Sequence, residues 1–249
     1  MFTFAGLSIF TGTRKEVVSR VDSWIRAKKR VYICVTGAHG VTESSQRTDI
    51  MRAHNNAGLI VPDGMPLVWL GRLSGHPETE RIYGPDLFLD LCMYAQQEKR
   101  RIFLYGTTQE TLNKLILQLK ITFPNLQIVG SYAPPFRTLS EPEKGKVTER
   151  INAAKPNIVF VGLSTPKQEL WMHEFSGRLR PAVLIGIGAA FDFIAGTKKQ
   201  APVWLRQSGL EWVFRMVHDP KRLIVRYVFV MRQMFRLLCL RIYTAFRFR

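Results

Sequence analysis

The chain has 249 residues, with 36 Lys and Arg against 19 Asp and Glu, which gives a formal net charge of +17. Because 46% of the residues are hydrophobic and 11% are aromatic, the chain can fill a core, and this composition excludes an intrinsically disordered protein. The length suits one large α/β domain, or one domain with an appendage, but not two full domains.

The N-terminal segment and the cysteines indicate the compartment. The first residues, MFTFAGLSIFTG, contain no basic region and no long apolar run, so we expect neither a signal peptide nor a transmembrane anchor at this end. Cys34, Cys92 and Cys239 lie far apart without a C-x-x-C spacing, which argues against a disulfide framework and against a structural zinc site. We therefore predict a reducing, cytoplasmic environment.

The region up to about Gly196 alternates short β-branched runs with helical patterns. The predicted strands are Val31–Thr36, Leu59–Val61, Arg101–Tyr105, Gln127–Ser131, Asn157–Val161 and Ala182–Ile187. The predicted helices are Glu43–His54, Met65–Leu73, Pro85–Gln97, Thr108–Thr122, Glu141–Ala154 and Pro166–Gly177. Strands that form continuous apolar runs are typical of a mostly parallel sheet, so residues 1–196 are predicted to form a Rossmann-like α/β core.

The stretch GTKKQAP separates this core from a basic C-terminal segment, residues 197–249, which carries twelve Lys and Arg but only two acids. On a single helical projection, most of its arginines fall within roughly 120° of arc and much of the remaining surface is apolar. These arginines are Arg215, Arg222, Arg226, Arg232, Arg236 and Arg247. The segment is predicted to be an amphipathic helical appendage, and its uncharged runs, such as Tyr227–Met231, are too short to cross a bilayer.

Ligands of parallel sheets bind beyond the carboxyl ends of the strands, so the residues that follow each apolar run are candidate site residues. Glycines in these positions allow backbone amides to approach a phosphate, and a following helix N-terminus adds a favourable partial charge. The candidates are Thr36, His39, Gly64, Gly106, Gly162, Gly186 and Gly188. One such glycine often only turns the chain, but together they favour an anionic nucleotide ligand.

The carboxylate of Asp63 stands in Pro-Asp-Gly-Met directly after a predicted strand, which places it at the mouth of the crevice. It could act as a general base, or it could cap the helix Met65–Leu73, and the sequence leaves both readings open. Gln168 and Glu169 occupy the first turn of another predicted helix, where they could cap amides or hydrogen-bond a sugar or a base.

Two missing motifs limit the chemistry. No two aspartates are separated by a single residue, so the D-x-D pair that holds a divalent cation under a nucleotide diphosphate is absent, and no P-loop is present. The glycines of Gly186-Ile-Gly188 lack the third glycine of a dinucleotide fingerprint and occur late in the chain, which argues against a dehydrogenase. We therefore predict chemistry without a bound metal or other cofactor.

Several runs of the chain resemble successive blocks of the WecG/TagA/CpsF glycosyltransferase family over about residues 1 to 230. They are VPDGMPLVW, RIYGPDLF, FLYG, KPNIVFVGLSTPKQELW, GIGAAFDFIAG and APVWLRQSGLEWVFRMVHDPKRLIVRY. The resemblance implies transfer of a sugar from a UDP-sugar donor to a polyprenyl-diphosphate-linked saccharide at the cytoplasmic face of a bacterial membrane, on a Rossmann-like core with an appendage and without a metal.

The resemblance also implies roles for single residues. The proposed base of the family matches Asp63, the pocket threonine matches Thr36 and the pocket glutamine matches Gln168, while the appendage arginines match Arg215, Arg222 and Arg226. In many members an asparagine stands two residues after the threonine, where this chain has Ala38 followed by His39, so the donor sugar stays open. We expect Arg81 and the appendage arginines, Arg215 first, to stabilise the leaving diphosphate, and Glu169 and Asp192 to hold the nucleoside or orient neighbours.

The basic segment permits other interpretations. A non-enzymatic nucleic-acid-binding protein would use its arginines and aromatics, but it would leave the apolar surface of the helix exposed. An interfacial helix on an anionic membrane would bury that surface, with Leu223, Phe229, Leu237, Leu238 and Tyr243 entering the acyl boundary, so a peripheral membrane protein is favoured over a nucleic-acid binder. A helix packed on a second subunit of a homo-oligomer stays open.

Overall fold

A computed structural model describes residues 1–180 and 182–247 of the protein, and for Arg222, Ile242 and residues 244–247 it describes the backbone alone. The strands are β1 (Phe2–Phe4), β2 (Leu7–Ile9), β3 (Val31–Thr36), β4 (Leu59–Pro62), β5 (Arg101–Gly106), β6 (Gln127–Tyr132), β7 (Ile158–Gly162) and β8 (Val183–Gly186). The helices before the appendage are α1 (Arg14–Arg26), α2 (Ala38–Gln46), α3 (Thr48–Asn55), α4 (Met65–Leu73), α5 (Gly84–Gln97), α6 (Gln109–Thr122), α7 (Glu141–Ala154), α8 (Lys167–Ser176) and α9 (Ala190–Ile194). Those of the appendage are α10 (Val203–Gln207), α11 (Glu211–His218) and α12 (Pro220–Arg247).

Strands β3 to β8 form one parallel sheet in the order β4-β3-β8-β7-β5-β6, which confirms the predicted Rossmann-like α/β core. The sheet is buried on both faces. One face packs under α1, α5, α6 and α9 around side chains such as Phe88 and Phe160, and the other packs under α2 and α8 around side chains such as Tyr105 and Phe175. This double coverage explains why the strands are continuous apolar runs in the sequence.

The structure differs from the sequence-based prediction near the N-terminus. The hairpin β1–β2, which turns through Ala5 and Gly6 at positive φ, was not predicted, and neither was α1. The predicted helix Glu43–His54 is wrong as a single element, because the chain is extended at Arg47 and separates α2 from α3. Thr36, at the end of β3, therefore lies close to two short helices instead of one long helix.

The appendage is not one helix, so the single projection of its arginines is wrong. Asp219 interrupts the helical conformation and Pro220, which has no N–H to donate, begins α12, so Arg215 lies on α11 and apart from the arginines of α12. One face of α12 packs on the core through Leu223, Val230 and Met234, all of which are buried. Among the described residues, no helix combines the length and the apolarity that a membrane span requires.

Candidate active site

A cavity of about 510 Å³ lies beyond the carboxyl ends of the central strands. In the sheet, β4 lies on one side of β3, whereas β8, β7 and β5 lie on the other side. The connection from β3 therefore leads to one side of the gap between β3 and β8, and the connection from β4 leads to the other side. This is the position where open parallel sheets bind their ligands. The lining includes Gly37 after β3, Asp63 after β4, Ser164 after β7 and Gly188 after β8.

The appendage supplies the second wall of the cavity. Its contributions are Phe214, Arg215, His218, Asp219, Leu223, Arg226 and Tyr227. Lys198 and Lys199, from the segment between the core and α10, also line the cavity. The core places a carboxylate, amides and a glutamine at the site, and the appendage adds most of the positive charge. An anionic ligand therefore fits the space between the two parts.

The carboxylate of Asp63 holds a defined position in this cavity. Its Oδ1 accepts a hydrogen bond of 2.9 Å from the backbone N–H of Gly84, the first residue of α5. The N-cap of α4 is Gly64, so Asp63 bonds the start of α5 and does not cap α4, which was one of its two possible roles. Its Oδ2 lies beside the Gly37 turn, 4.0 Å from where a β-carbon on Gly37 would sit.

The electrostatic surroundings make Asp63 more basic than an exposed aspartate. Desolvation raises the pKa of the carboxyl, Arg81 opposes that rise, and the charge of Glu211 adds to it, with a net pKa above the ordinary value. A carboxylate with a raised pKa accepts a proton more readily once it is ionised. Asp63 is thus a carboxylate of the cavity lining whose surroundings favour acceptance of a proton.

Gln168 lines the cavity, whereas Glu169 lies beneath its wall. The Oε1 of Gln168 accepts from the N–H of Gly188 at 3.0 Å, and its Nε2 donates to Oε1 of Glu169 at 3.0 Å. Glu169 is fully buried, also accepts from the hydroxyl of Thr165 at 2.9 Å, and desolvation raises its pKa. The pair therefore fixes the loop after β8, and Gln168 alone reaches the ligand space.

The hydroxyl of Thr36 faces away from the cavity. It lies 3.1 Å from Nε2 of His54, and Nδ1 of His54 lies 3.0 Å from the hydroxyl of Ser44 and 3.1 Å from the carbonyl of Ile50. All three side chains of this chain of hydrogen bonds are buried, and Thr36 does not line the cavity. The structure thus places Thr36 behind the cavity wall, where His54, which the sequence did not single out, anchors it.

Four of the five strand-end glycines that were candidates for phosphate binding lie outside the cavity lining, and one of these, Gly64, is the N-cap of α4. A β-carbon on Gly106 would lie 2.5 Å from the carbonyl oxygen of Gly162, one on Gly162 would lie 2.5 Å from the ring of Phe191, and one on Gly186 would lie 2.7 Å from Met172. At these positions glycine permits close packing inside the core. Gly188 is the one glycine of this set in the cavity lining, with φ of +56°, but its N–H already donates to Gln168 and is not available to a phosphate.

Two further candidates lie near the cavity but not in its lining. Arg81 donates from Nε to the carbonyl oxygen of Asp63 at 2.5 Å and from Nη2 to Glu211 at 2.6 Å, so its guanidinium is engaged between core and appendage. Asp192 pairs with Lys198 at 2.6 Å and accepts from the hydroxyl of Thr107 at 3.4 Å. It therefore orients a lysine of the lining.

His39 and Arg226 lie at one end of the cavity. Burial and the nearby charge of Arg226 lower the pKa of His39 to about 4, so at neutral pH the imidazole is uncharged, with Nε2 at 3.4 Å from Glu43. Arg222, which the sequence analysis also expected at the site, lies on α12, and its side chain is not among those that the structure describes.

A shallow groove of about 400 Å³ adjoins the cavity at His39 and Arg226. It shares these two residues and Thr165 with the cavity, and it continues over Val225 and Phe229.

Sequence reasoning missed several residues of the site. Lys198 and Lys199 were read as part of a linker, and Glu211 was counted only as one of two acids in a basic segment. A pair of lysines directly after a glycine turn is a weak signal for a ligand site. Tyr83, Phe193 and Tyr227 line the cavity as well, and as isolated aromatics they gave no signal in the sequence.

Comparison with known proteins adds independent evidence. The sequence model of the Glycosyl transferase WecG/TagA/CpsF family matches residues 2–247. Among the relatives, an N-acetylglucosaminyldiphosphoundecaprenol N-acetyl-beta-D-mannosaminyltransferase of Bacillus spizizenii is 31% identical over 206 residues, 82% of this chain and 78% of its own length. Proteins of the same description from Bacillus subtilis (34% identical, 68% of this chain, 64% of its own) and Staphylococcus aureus strain MW2 (26% identical, 88% and 85%) are also similar.

Proposed function

This chain belongs to the glycosyltransferase WecG/TagA/CpsF family, and on that premise we propose that it moves a sugar from a UDP-sugar to a polyprenyl-diphosphate-linked saccharide. The relatives are N-acetylmannosaminyltransferases whose acceptor is an N-acetylglucosaminyl-diphosphoundecaprenol. We propose the same donor and acceptor classes for this enzyme. The observation that carries the proposal is a cavity whose lining includes Asp63, Arg215 and Arg226.

The proposed reaction is a single displacement. Asp63 removes the proton of the acceptor hydroxyl as that oxygen attacks the anomeric carbon, the bond between this carbon and the diphosphate breaks, and UDP leaves. Because the nucleophile and the leaving group lie on opposite faces of the carbon, the configuration inverts. The raised pKa of Asp63 supports its role as the base, and the contact of Oδ1 with Gly84 orients the carboxylate.

Positive side chains of the cavity are proposed to stabilise UDP as its charge develops. Arg215, Arg226 and Lys199 line the cavity, and Lys198 is held there by Asp192. Positive side chains that are held in place stabilise the developing charge of the diphosphate, and so they lower the barrier to sugar transfer without a metal ion.

We therefore expect transfer to continue when divalent cations are chelated. Among the described residues, no group of three His, Cys, Asp or Glu side chains is placed to hold a metal ion. The measurement is the initial rate of transfer in EDTA compared with the rate in Mg²⁺ or Mn²⁺. A loss of activity in EDTA that Mg²⁺ or Mn²⁺ restores would contradict this assignment of charge neutralisation to the side chains.

The groove next to the cavity is proposed to receive the lipid-linked part of the acceptor. Arg226 lies where groove and cavity meet, so it can bind the acceptor diphosphate, and Val225 and Phe229 offer an apolar surface to the first prenyl units. Glu43 also lines the groove, and because the neighbouring His39 is uncharged at neutral pH, the negative charge of Glu43 favours an approach of the diphosphate from the Arg226 side.

The outer face of α12 is proposed to lie on the cytoplasmic surface of an anionic membrane. Exposed apolar side chains, Val225, Val228, Phe229, Phe235 and Tyr243, alternate there with arginines that include Arg232 and Arg236. Leu223, Leu237 and Leu238, which were expected to enter the acyl boundary, instead pack toward the protein. The mixed face that remains is typical of an interfacial helix.

A transfer assay tests the proposed function. The full chain is incubated with UDP-N-acetylmannosamine, UDP-N-acetylglucosamine or UDP-glucose and with a short-chain N-acetylglucosaminyl-diphosphopolyprenol, and the products are identified by mass. We expect one donor to give an acceptor that is heavier by one sugar, with an equal amount of UDP. Hydrolysis of the donor without a change in the acceptor, or no reaction with any donor, would contradict the proposal.

A further inference from the structure

The buried carboxylate of Glu211, at the first turn of α11, takes no part in the transfer step described above. It nevertheless accepts hydrogen bonds from Nη2 of Arg81 at 2.6 Å and from the hydroxyl of Tyr83 at 3.2 Å, and Nη2 of Arg215 lies 2.5 Å from its Oε1. Both Arg81 and Tyr83 belong to the core. Glu211 thus joins the appendage to the core directly beside the proposed base.

Arg81 continues this connection in two directions. Its Nε donates to the carbonyl oxygen of Asp63 at 2.5 Å, and its Nη1 donates to the carbonyl oxygen of Arg206, in α10, at 2.7 Å. The guanidinium also lies over the ring of Tyr83, with 4.4 Å between Cζ and the ring centroid. One side chain of the core therefore contacts the backbone of Asp63 and two helices of the appendage.

Charge balance gives Glu211 a second effect. Two arginines and two carboxylates meet here: Arg81, Arg215, Asp63 and Glu211. Burial acts to raise the pKa of Glu211, but Arg215 and Arg81 outweigh it, so its pKa lies below the ordinary value and the group is ionised at neutral pH. Without that negative charge, both arginines would act on Asp63 alone.

We propose that Glu211 is a positioning residue that fastens the appendage to the core, holds Arg215 at the cavity and keeps the two arginines from pairing with Asp63. The inference rests on the proposed function, because it gives Asp63 the role of the base. Its first part, the fastening of the appendage, depends on the contacts alone and holds whatever the substrate is.

The charged and titratable groups that surround Asp63 come from every part of the cavity wall. They are Arg81 and Tyr83 from the loop before α5, Glu211, Arg215 and His218 from α11, His39 from α2, Lys198 and Lys199 from the segment before α10, and Asp219 and Arg226 from α12 and its start. Of these, Arg81, Glu211 and Arg215 act most directly on the charge of Asp63. Glu211 is the one that opposes the two arginines.

We expect Glu211→Gln, in the full chain, to lower kcat by roughly 10- to 100-fold with a change in donor KM below about 3-fold. The amide keeps the size of the side chain but leaves Arg81 and Arg215 unopposed, which stabilises ionised Asp63. The pKa of Asp63 then falls, so the acid limb of the kcat profile should move to lower pH by roughly one unit. A residue that only maintains the fold would not move this limb.

Two variants separate charge from packing. Glu211→Asp keeps the charge and should retain the wild-type position of the acid limb. The double variant Arg81→Gln/Glu211→Gln removes one charge of each sign and should return the limb toward its wild-type position, although its kcat stays low. If Glu211→Gln is active and the acid limb of its kcat profile stays at the wild-type pH, Glu211 does not keep the two arginines from acting on Asp63, and this part of the proposal is overturned.

Limited proteolysis of the full chain tests the fastening of the appendage independently of activity. Cleavage within residues 196–202, which join the core to α10, should be at least about 10-fold faster in Glu211→Gln than in the wild type, with Tyr83→Phe in between. Equal cleavage rates would overturn this part of the inference. A wild-type enzyme that transfers no sugar would contradict the proposed function instead, and the cleavage rates would still decide whether Glu211 holds the appendage.

Discussion

Asp63→Asn is expected to lower the turnover number by roughly 10²- to 10⁴-fold, because an amide cannot accept the proton of the acceptor hydroxyl. The structure makes this variant informative. The carbonyl oxygen of an asparagine can still accept from the N–H of Gly84, so the start of α5 and the position of the side chain are retained. Donor affinity should then change by less than about 3-fold, and single-turnover kinetics with donor titration measure both quantities.

Asp49→Asn is a matched control for this experiment. Asp49 is an exposed aspartate in the first turn of α3, where it pairs with Arg47, outside the cavity lining. The same chemical change at this position should leave transfer within about 2-fold of the wild-type rate. Near-native turnover of Asp63→Asn would mean that Asp63 only orders the start of α5 and that another group removes the proton.

Reversing the charges of Arg232 and Arg236 to glutamate is expected to weaken binding to phosphatidylglycerol vesicles by roughly 10²- to 10³-fold at low salt. Each basic residue near an anionic surface contributes up to about 1 kcal/mol, and reversal replaces attraction by repulsion at both positions. Both arginines are exposed on α12, away from the cavity, so transfer to a water-soluble acceptor analogue should be retained. Vesicle sedimentation at several salt concentrations measures the effect, which should shrink as salt rises.

Lys28→Glu/Lys29→Glu provides the control for net charge. Both lysines are exposed just beyond the end of α1, so the double variant changes the total charge by the same amount at another part of the surface. Vesicle binding that falls equally in both double variants would point to net charge and not to the face of α12. Binding that is unchanged in Arg232→Glu/Arg236→Glu would contradict the membrane orientation and favour a contact of α12 with a second subunit.

Removal of the whole appendage is a less direct test of the membrane orientation than point changes are. Leu223, Val230 and Met234 are buried against the core, so truncation near Thr197 would expose the apolar surface that they cover. Solubility and activity would then change together for reasons unrelated to the membrane. Point changes on the exposed face of α12 avoid this ambiguity.

Most of the sheet was predictable because its strands other than β6 are local apolar runs bounded by glycine or polar residues. The helix α1 had a recognisable signal as well: Thr13 and Glu16 form a capping box, and Thr-x-x-Glu stands in the sequence. The hairpin β1–β2 has strands of three residues, too short for an alternating pattern to show. The break at Arg47 lies in the polar run Glu43–Asp49, which contains no apolar residue, so periodicity gave no indication of it.

The candidate site was predictable only in part, because its chemistry depends on contacts between distant segments. Asp63, Gln168 and Gly188 follow strands and could be found from the rule for parallel sheets. Glu211 meets Arg81 and Tyr83 across about 130 positions of sequence, and no local pattern encodes such a meeting. Thr36 has the expected position at a strand end, but its rotamer, which turns the hydroxyl to His54, depends on the packing of α3.

The most direct test of the proposed mechanism is the anomeric configuration of the transferred sugar in a product made in the presence of EDTA. One-bond C1–H1 coupling constants from NMR of that product distinguish the α from the β linkage. A single displacement on an α-linked UDP-sugar, with Asp63 as base and cationic side chains in place of a metal, predicts a β linkage. An α-linked product would contradict the account, because retention requires a different reaction course at the anomeric carbon.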